Sequence, residues 1–188
     1  MLVRQLGLPE VLEIVPKKHG DARGFFSETY NAKRFAEAGI ELPWVQDNHA
    51  FSAHVGVLRG LHFQKPPFAQ DKLVRVAKGA IVDVAVDVRR GSPRFGQWCS
   101  LRVSADDWNQ ILIPKGFAHG YMTLEPDTEV IYKVSELYAP EHDCGIHFAD
   151  PDIGIVWPLD SMTPTLSAKD EVAPRLRDVE TGFEYSEN

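Results

Sequence analysis

The stretch Leu73-Val74-Arg75-Val76-Ala77-Lys78-Gly79-Ala80-Ile81-Val82-Asp83-Val84-Ala85-Val86-Asp87-Val88 decides the fold class. Two runs rich in β-branched residues flank Lys78-Gly79, which predicts two strands joined by a tight turn. In the second run, period two puts Val82, Val84, Val86 and Val88 on one face and Asp83 with Asp87 on the other. Such alternation describes an antiparallel sheet with one face on a core, so the two aspartates are expected on a solvated outer face. Paired carboxylates on one strand face are also compatible with metal ligation or acid/base work.

Further strands are expected at Val55 to Gln64, Gln97 to Val103, Gln110 to Ile113, Tyr121 to Leu124 and Glu129 to Tyr138, with Glu125-Pro126-Asp127 as the turn between the last two. Helix signals are few. Ala32 to Ala38 is predicted helical, with Asn31 placed to cap its start and Gly39 to end it. Ser104, with Asp107 three residues on, predicts a second helical turn through a capping box. About eight or more short strands, one or two short helices and no strand-helix rhythm predict an all-β jelly-roll sandwich. A single domain over residues 1–188 is expected.

The chain carries 20 Lys plus Arg against 27 Asp plus Glu, a net charge of -7. Bulk charge therefore excludes a basic nucleic-acid binder. The acidic segment 170–188 holds six acids and two bases, so -4 of the charge lies there and -3 in residues 1–169, where a local cationic pocket can form. No stretch approaches the roughly 18 apolar residues of a membrane span, and no signal-length apolar run follows the N-terminus. A soluble, cytoplasmic protein that engages no membrane is expected. Cys99 and Cys144 fit neither a CxxC pair nor a disulfide framework and read as reduced structural thiols.

GxGxxG, P-loop, GxSxG and HExxH signatures are all missing from the sequence. Two segments are dense in candidate chemistry: Gly56-Val57-Leu58-Arg59-Gly60-Leu61-His62-Phe63-Gln64, followed by Gln70-Asp71-Lys72-Leu73-Val74, and Pro114-Lys115-Gly116-Phe117-Ala118-His119-Gly120. A jelly roll with PxGxxH in its second half resembles the cupins, in which an HxH pair, a following Glu and that later His hold a metal. Here the HxH position reads His62-Phe63-Gln64, and no Glu lies between Gln64 and Ile113. An amide and a missing acid make a poor transition-metal shell, so neither metal nor cofactor is expected.

A more specific resemblance spans nearly the whole chain. The segments Asp21-Ala22-Arg23-Gly24-Phe25-Phe26-Ser27-Glu28, Gln46-Asp47-Asn48, Gly56 to Gln64, Gln70 to Val74, Ser92-Pro93-Arg94-Phe95-Gly96, Pro114 to Gly120, Tyr132-Lys133, Asp150-Pro151, Trp157-Pro158 and Leu166-Ser167-Ala168-Lys169-Asp170 resemble, in order, the dTDP-4-dehydrorhamnose 3,5-epimerase family. The resemblance implies a cupin-like jelly roll without metal or cofactor. It also implies conversion of dTDP-4-dehydro-6-deoxy-D-glucose to dTDP-4-dehydro-L-rhamnose. His62 would then be the base, oriented by Asp170, with Tyr132 the acid on the opposite face and Lys72 the stabiliser of the enolate. Arg23, Arg59 and His119 would bind sugar and diphosphate, with Phe26, Glu28, Gln46, Asn48, Tyr138, Asp143 and Lys169 among the remaining contacts. Asp143 stands in an altered segment, His142-Asp143-Cys144-Gly145-Ile146-His147-Phe148, and is the weakest of these assignments. A homodimer is implied too, with the N-terminal region 1–50, around Arg23 to Glu28, contributing to the partner's sheet or pocket.

The residue types suit the chemistry. A proton beside a ketone is far less acidic than imidazolium, and each pKa unit of mismatch costs about 1.4 kcal/mol, so a base needs help from a cation or donor at the developing oxyanion. Histidine is matched to base work near neutrality, and a carboxylate can hold its tautomer. Inversion needs proton positions on both faces of the planar enolate, hence a separate acid. Arg59 and His62 are three positions apart and reach one pocket only if Gly60 bends or bulges the strand. Rival readings are an epimerase acting at C3 or C5 alone, a ketoisomerase, a non-catalytic sugar-binding cupin and a metal-dependent oxygenase.

Overall fold

Two antiparallel sheets pack face to face in the structure, a computed structural model that describes residues 1–186. The first sheet, in spatial order, comprises β1 (Leu2–Gln5), β2 (Leu12–Val15), β10 (Gln110–Ile113), β7 (Lys72–Lys78), β12 (Thr128–Val134) and β5 (Gln46–Ser52). The second comprises β13 (Asp143–Gly145), β6 (Leu58–Gln64), β11 (Phe117–Thr123), β8 (Ala80–Asp87) and β9 (Trp98–Ser104). A separate ribbon pairs β3 (Lys18–Asp21) with β4 (Gly24–Ser27). Two short helices, α1 (Ala32–Glu37) and α2 (Ala168–Glu171), complete the expected all-β sandwich. The chain passes from β7 in one sheet to β8 in the other through Lys78-Gly79. Gly79 holds φ +82°, and a Cβ there would lie 2.4 Å from Thr128 Oγ1, so the passage requires glycine.

Three apolar clusters hold the layers together. Val74, Val76, Ile111, Ile113 and Val130 of the first sheet meet Ile81, Ala85, Val103, Phe117 and Tyr121 of the second inside the sandwich. On the outer face of the first sheet, Ile14, Leu73 and Leu112 are covered by Phe35 of α1 and by Ile40. On the outer face of the second, Leu58, Val84, Val86, Val88 and Met122 are covered by Ile146, Ile153, Trp157, Leu176 and Val179, from the largely irregular chain after β13.

That last cluster corrects the reading of β8. Both of its faces are buried: the valines lie beneath the C-terminal segment, and the face carrying Ile81, Asp83, Ala85 and Asp87 looks inward. Asp83 and Asp87 are 0% exposed rather than solvated. Asp87 is held by Arg89 Nη2 at 2.7 Å and Ser92 Oγ at 2.7 Å.

Other expectations shift for local reasons. Asn31 caps α1 by accepting from Arg34 N at 3.2 Å. Ser104 Oγ accepts from Asp107 N at 2.9 Å, but the Ser104 N–H goes to Asn109 Oδ1 and Trp108 adopts φ +56°, so the segment stays a turn. β12 stops at Val134; just beyond it Ser135 and Asp71 are tied by one backbone bond, Ser135 N to Asp71 O at 3.1 Å, and by bonds through the Ser135 hydroxyl. Tyr138, expected at a strand end, therefore lies in the loop beyond it.

Candidate active site

A cavity of about 470 Å³ opens between the sheets, lined by Arg59 and His62 of β6, His119 and Tyr121 of β11, Lys72 of β7, Tyr132 of β12 and Asp170 of α2. A second cavity of about 280 Å³ is lined by Gln46, Asn48, Gln70, Tyr138 and Asp143. His62, Lys72 and Tyr132 line both.

β6 delivers both Arg59 and His62 to the cavity by bulging. His119 pairs with His62, and Tyr121 pairs with Arg59, so one residue between the pairs on β11 opposes two on β6. Gly60 sits in the bulge at φ +119°, and a Cβ there would lie 2.6 Å from Gly120 Cα. Any larger residue would drive β6 off β11 and separate the two side chains.

Two histidine-carboxylate pairs flank the cavity. His62 Nε2 lies 2.6 Å from Asp170 Oδ1. Asp170 is positioned at the start of α2, where its N–H donates to the Ser167 cap at 3.2 Å. Burial would raise the Asp170 pKa, but bonds from His62, Ser167 and the Gly60 backbone outweigh it and hold the carboxyl below its ordinary value. A carboxylate on Nε2 fixes the proton there, which leaves the Nδ1 lone pair of neutral His62 as the basic atom. His119 Nε2 lies 3.0 Å from Asp83 Oδ2. Here burial wins: despite Asp83, the His119 pKa is lowered and the ring is held neutral.

Lys72 stands on the opposite sheet, with Nζ 3.5 Å from the His62 carbonyl oxygen. Burial pushes its pKa down to about 8, against the opposing charges of Asp143 and Asp83. Burial raises the Tyr132 hydroxyl, while the Arg59 cation works the other way. Arg59 itself donates to Phe51 O at 3.1 Å. The arrangement offers a base on one sheet, and a phenol and an ammonium on the other, around a space of sugar size.

Around the second cavity, Gln46 Nε2 donates to Asn48 Oδ1 at 2.8 Å, and the Tyr138 hydroxyl donates to Asp143 Oδ2 at 3.3 Å. Lys169, next to Asp170 on α2, is ion-paired with Asp143. Arg23, Phe26 and Glu28 do not line either cavity of their own chain. Arg23 is 90% exposed and paired with Asp21 at the tip of the β3–β4 ribbon, Phe26 is 68% exposed, and Glu28 pairs with Arg34 at 3.0 Å. The reason is connectivity: β3 and β4 pair only with each other.

The sequence reading missed Asp83, assigned to a solvated face, and Tyr121, seen only as a strand residue. For Asp83 the available signal was the apolar chain after β13, which has to cover something. Gln64, at the cupin ligand position, spends its amide on Phe68 O, Leu137 O and Ala139 N. Among the described residues, no three His, Cys, Asp or Glu side chains converge as metal ligands.

Comparisons with known proteins agree on one family. The family profile described as dTDP-4-dehydrorhamnose 3,5-epimerase matches residues 5–178. The chain is 48% identical over 185 residues to the dTDP-4-dehydrorhamnose 3,5-epimerase of Sinorhizobium fredii, covering 98% of this chain and 94% of that one. It superposes with a TM-score of 0.94 and 42% identity on the dTDP-6-deoxy-D-glucose-3,5-epimerase of Legionella pneumophila in complex with dTDP-4-keto-L-rhamnose, over 99% of both chains. A 3'-monoepimerase from Streptomyces bikiniensis, solved with dTDP-quinovose, matches with a TM-score of 0.87 and 36% identity over 93% of this chain and 87% of that one. This chain belongs to the dTDP-4-dehydrorhamnose 3,5-epimerase family.

Proposed function

We propose that the protein is an isomerase that inverts C3 and C5 of dTDP-4-dehydro-6-deoxy-D-glucose, giving dTDP-4-dehydro-L-rhamnose, with the residues of the two cavities in the following roles. The observation that carries this is the His62–Asp170 pair facing Lys72 and Tyr132 across one cavity. His62 Nδ1 takes the proton from a carbon beside the ketone, and the electron pair moves onto the ketone oxygen. Lys72 stabilises that oxyanion with a positive charge already in place. Tyr132 returns a proton to the same carbon from the other sheet, which inverts the centre. Solvent reprotonates the phenolate and deprotonates His62, and the sequence repeats at the second carbon. No step calls on a cofactor.

Arg59 and His119 hold the sugar and diphosphate, and Gln46, Asn48, Tyr138, Asp143 and Lys169 frame the nucleoside end. Arg23, Phe26 and Glu28 act in a partner's site: a homodimer in which the β3–β4 ribbon reaches the neighbouring cavity accounts for an arginine and a phenylalanine left exposed. No helix of the described residues is long and apolar enough to cross a membrane.

Incubation of dTDP-4-keto-6-deoxyglucose with the protein in deuterated water tests the reading, because deuterium at C3 and at C5 reports each proton removal separately. Label with inversion at both carbons is expected. Label at one carbon only would support the second reading, single-centre epimerisation, favoured by the likeness to a monoepimerase. Label at neither would overturn both.

A further inference from the structure

Tyr121 is unused in the mechanism above, yet it lines the larger cavity together with Tyr132, Arg59 and His62. Its residue is 4% exposed, and its hydroxyl is buried without a hydrogen-bond partner. Buried polar groups are almost always paired, and an unpaired one destabilises the fold, so the free donor calls for a role. The ring is anchored in the sandwich core, and Tyr132 packs against that same cluster from the opposite sheet. Arg59 is the strand partner of Tyr121, and its charge acts on both phenols. The two tyrosines and the arginine thus form one corner of the cavity wall.

We infer that Tyr121 is a positioning residue for the protonation step: its hydroxyl donates to the Tyr132 oxygen as that oxygen loses its proton to the carbon. The inference rests on the reading of Tyr132 as the acid. Tyr132 becomes a phenolate in a partly buried site, where a fixed donor counts for more than in water. A donor with no partner among the protein's own groups that becomes paired as charge develops stabilises the transition state over the ground state, which is the condition for raising turnover. The proton balance closes on Tyr132 alone: Tyr121 keeps its own proton and supplies only a hydrogen bond. Burial, which raises the Tyr121 pKa well above the ordinary phenol value, keeps it in the donor form.

Tyr121→Phe removes one oxygen atom that has no partner, so the fold should survive with an equal or higher melting temperature. Turnover for inversion should fall about 10- to 100-fold, the range expected for a hydrogen bond to a charged group. KM and dTDP affinity by calorimetry should stay within about twofold, and deuterium wash-in at the carbon beside the ketone should continue near the wild-type rate. Tyr132→Phe and the double variant run alongside. The double variant should be no slower than Tyr132→Phe, because Tyr121 acts through that hydroxyl. If Tyr132→Phe inverts normally, the acid assignment itself is wrong. If Tyr132→Phe is impaired while Tyr121→Phe inverts at the wild-type rate, only the present inference fails. A raised KM with unchanged turnover in Tyr121→Phe would place the hydroxyl on the sugar and overturn it as well.

Discussion

His62–Asp170 and His119–Asp83 are the same chemical pair in two settings. Both join Nε2 to a carboxylate, and both histidines stand on neighbouring strands of one sheet, directly paired in register. The His62 side chain is 31% exposed and its carboxylate comes from a short helix at the rim; His119 is 8% exposed and its carboxylate comes from the middle of β8. The contrast teaches that a histidine-carboxylate pair is not defined by its bond alone. The rim histidine is open to solvent, as the proposed base role requires. The inner histidine is desolvated and held neutral, which suits a fixed hydrogen-bonding group and not a proton carrier.

The largest expected difference is kinetic. His62→Ala should slow proton exchange and inversion at both carbons by roughly 10²–10⁴-fold, the contribution of a positioned base, with the fold intact. Deuterium exchange followed by NMR checks this, and persistence of exchange would hand the base role to His119 and dissolve the contrast. Next comes stability, with the order reversed. His119→Ala leaves a fully buried carboxylate without its hydrogen-bond donor and should destabilise the protein by about 3 kcal/mol or more. His62→Ala opens Asp170 to water and should cost about 1–2 kcal/mol, the loss of a charged hydrogen bond. Urea melts of both variants decide the order.

A pH series separates the roles further. Lys72 must be cationic to stabilise the oxyanion, so turnover should fall as pH rises through about 8, where its ammonium loses the proton. A stopped-assay profile of exchange rate against pH reads this directly. The smallest effect is in acid stability. The His119 pKa is depressed below its ordinary 6.5, so its contribution is present above that pH and is lost as pH falls through the folded value. The Asp170 pKa is depressed below 3.8, so its contribution disappears later, as pH falls further. His119→Gln should remove the first loss and leave the second. A single acid transition in the wild-type chain, unchanged by His119→Gln, would show that the two pairs are not separable in this way.

The uneven legibility of the two pairs has a physical cause. His62, Lys72, Tyr132 and Asp170 stand in local motifs, and their roles follow from a family resemblance whose segments survive as contiguous words. The bulge at Gly60 was legible as a requirement, because period two forbids Arg59 and His62 from sharing a face without it. Asp83 was not legible. Period two reports that two faces of β8 differ, but not which is wet, and here the irregular chain around Trp157 and Leu176 buries the valines while the aspartates turn inward. Tyr138 was misplaced for a related reason: β propensity runs on past Val134, where the strand ends. The isolation of the β3–β4 ribbon from its own cavity is a matter of sheet connectivity, which no local pattern encodes.

Lys169 and Asp170 are consecutive residues of one four-residue helix, and they hold opposite ends of the site. Lys169 grips Asp143 and, through it, the neighbourhood of Tyr138; Asp170 grips the base. On the proposed assignment, a nucleoside seated beside Asp143 would bear on the same short helix that orients His62. The inert half of the substrate would thereby act as a lever on the reacting half. A sugar stripped of its nucleotide would then forfeit rate as well as affinity, because the handle that aligns the imidazole would be missing.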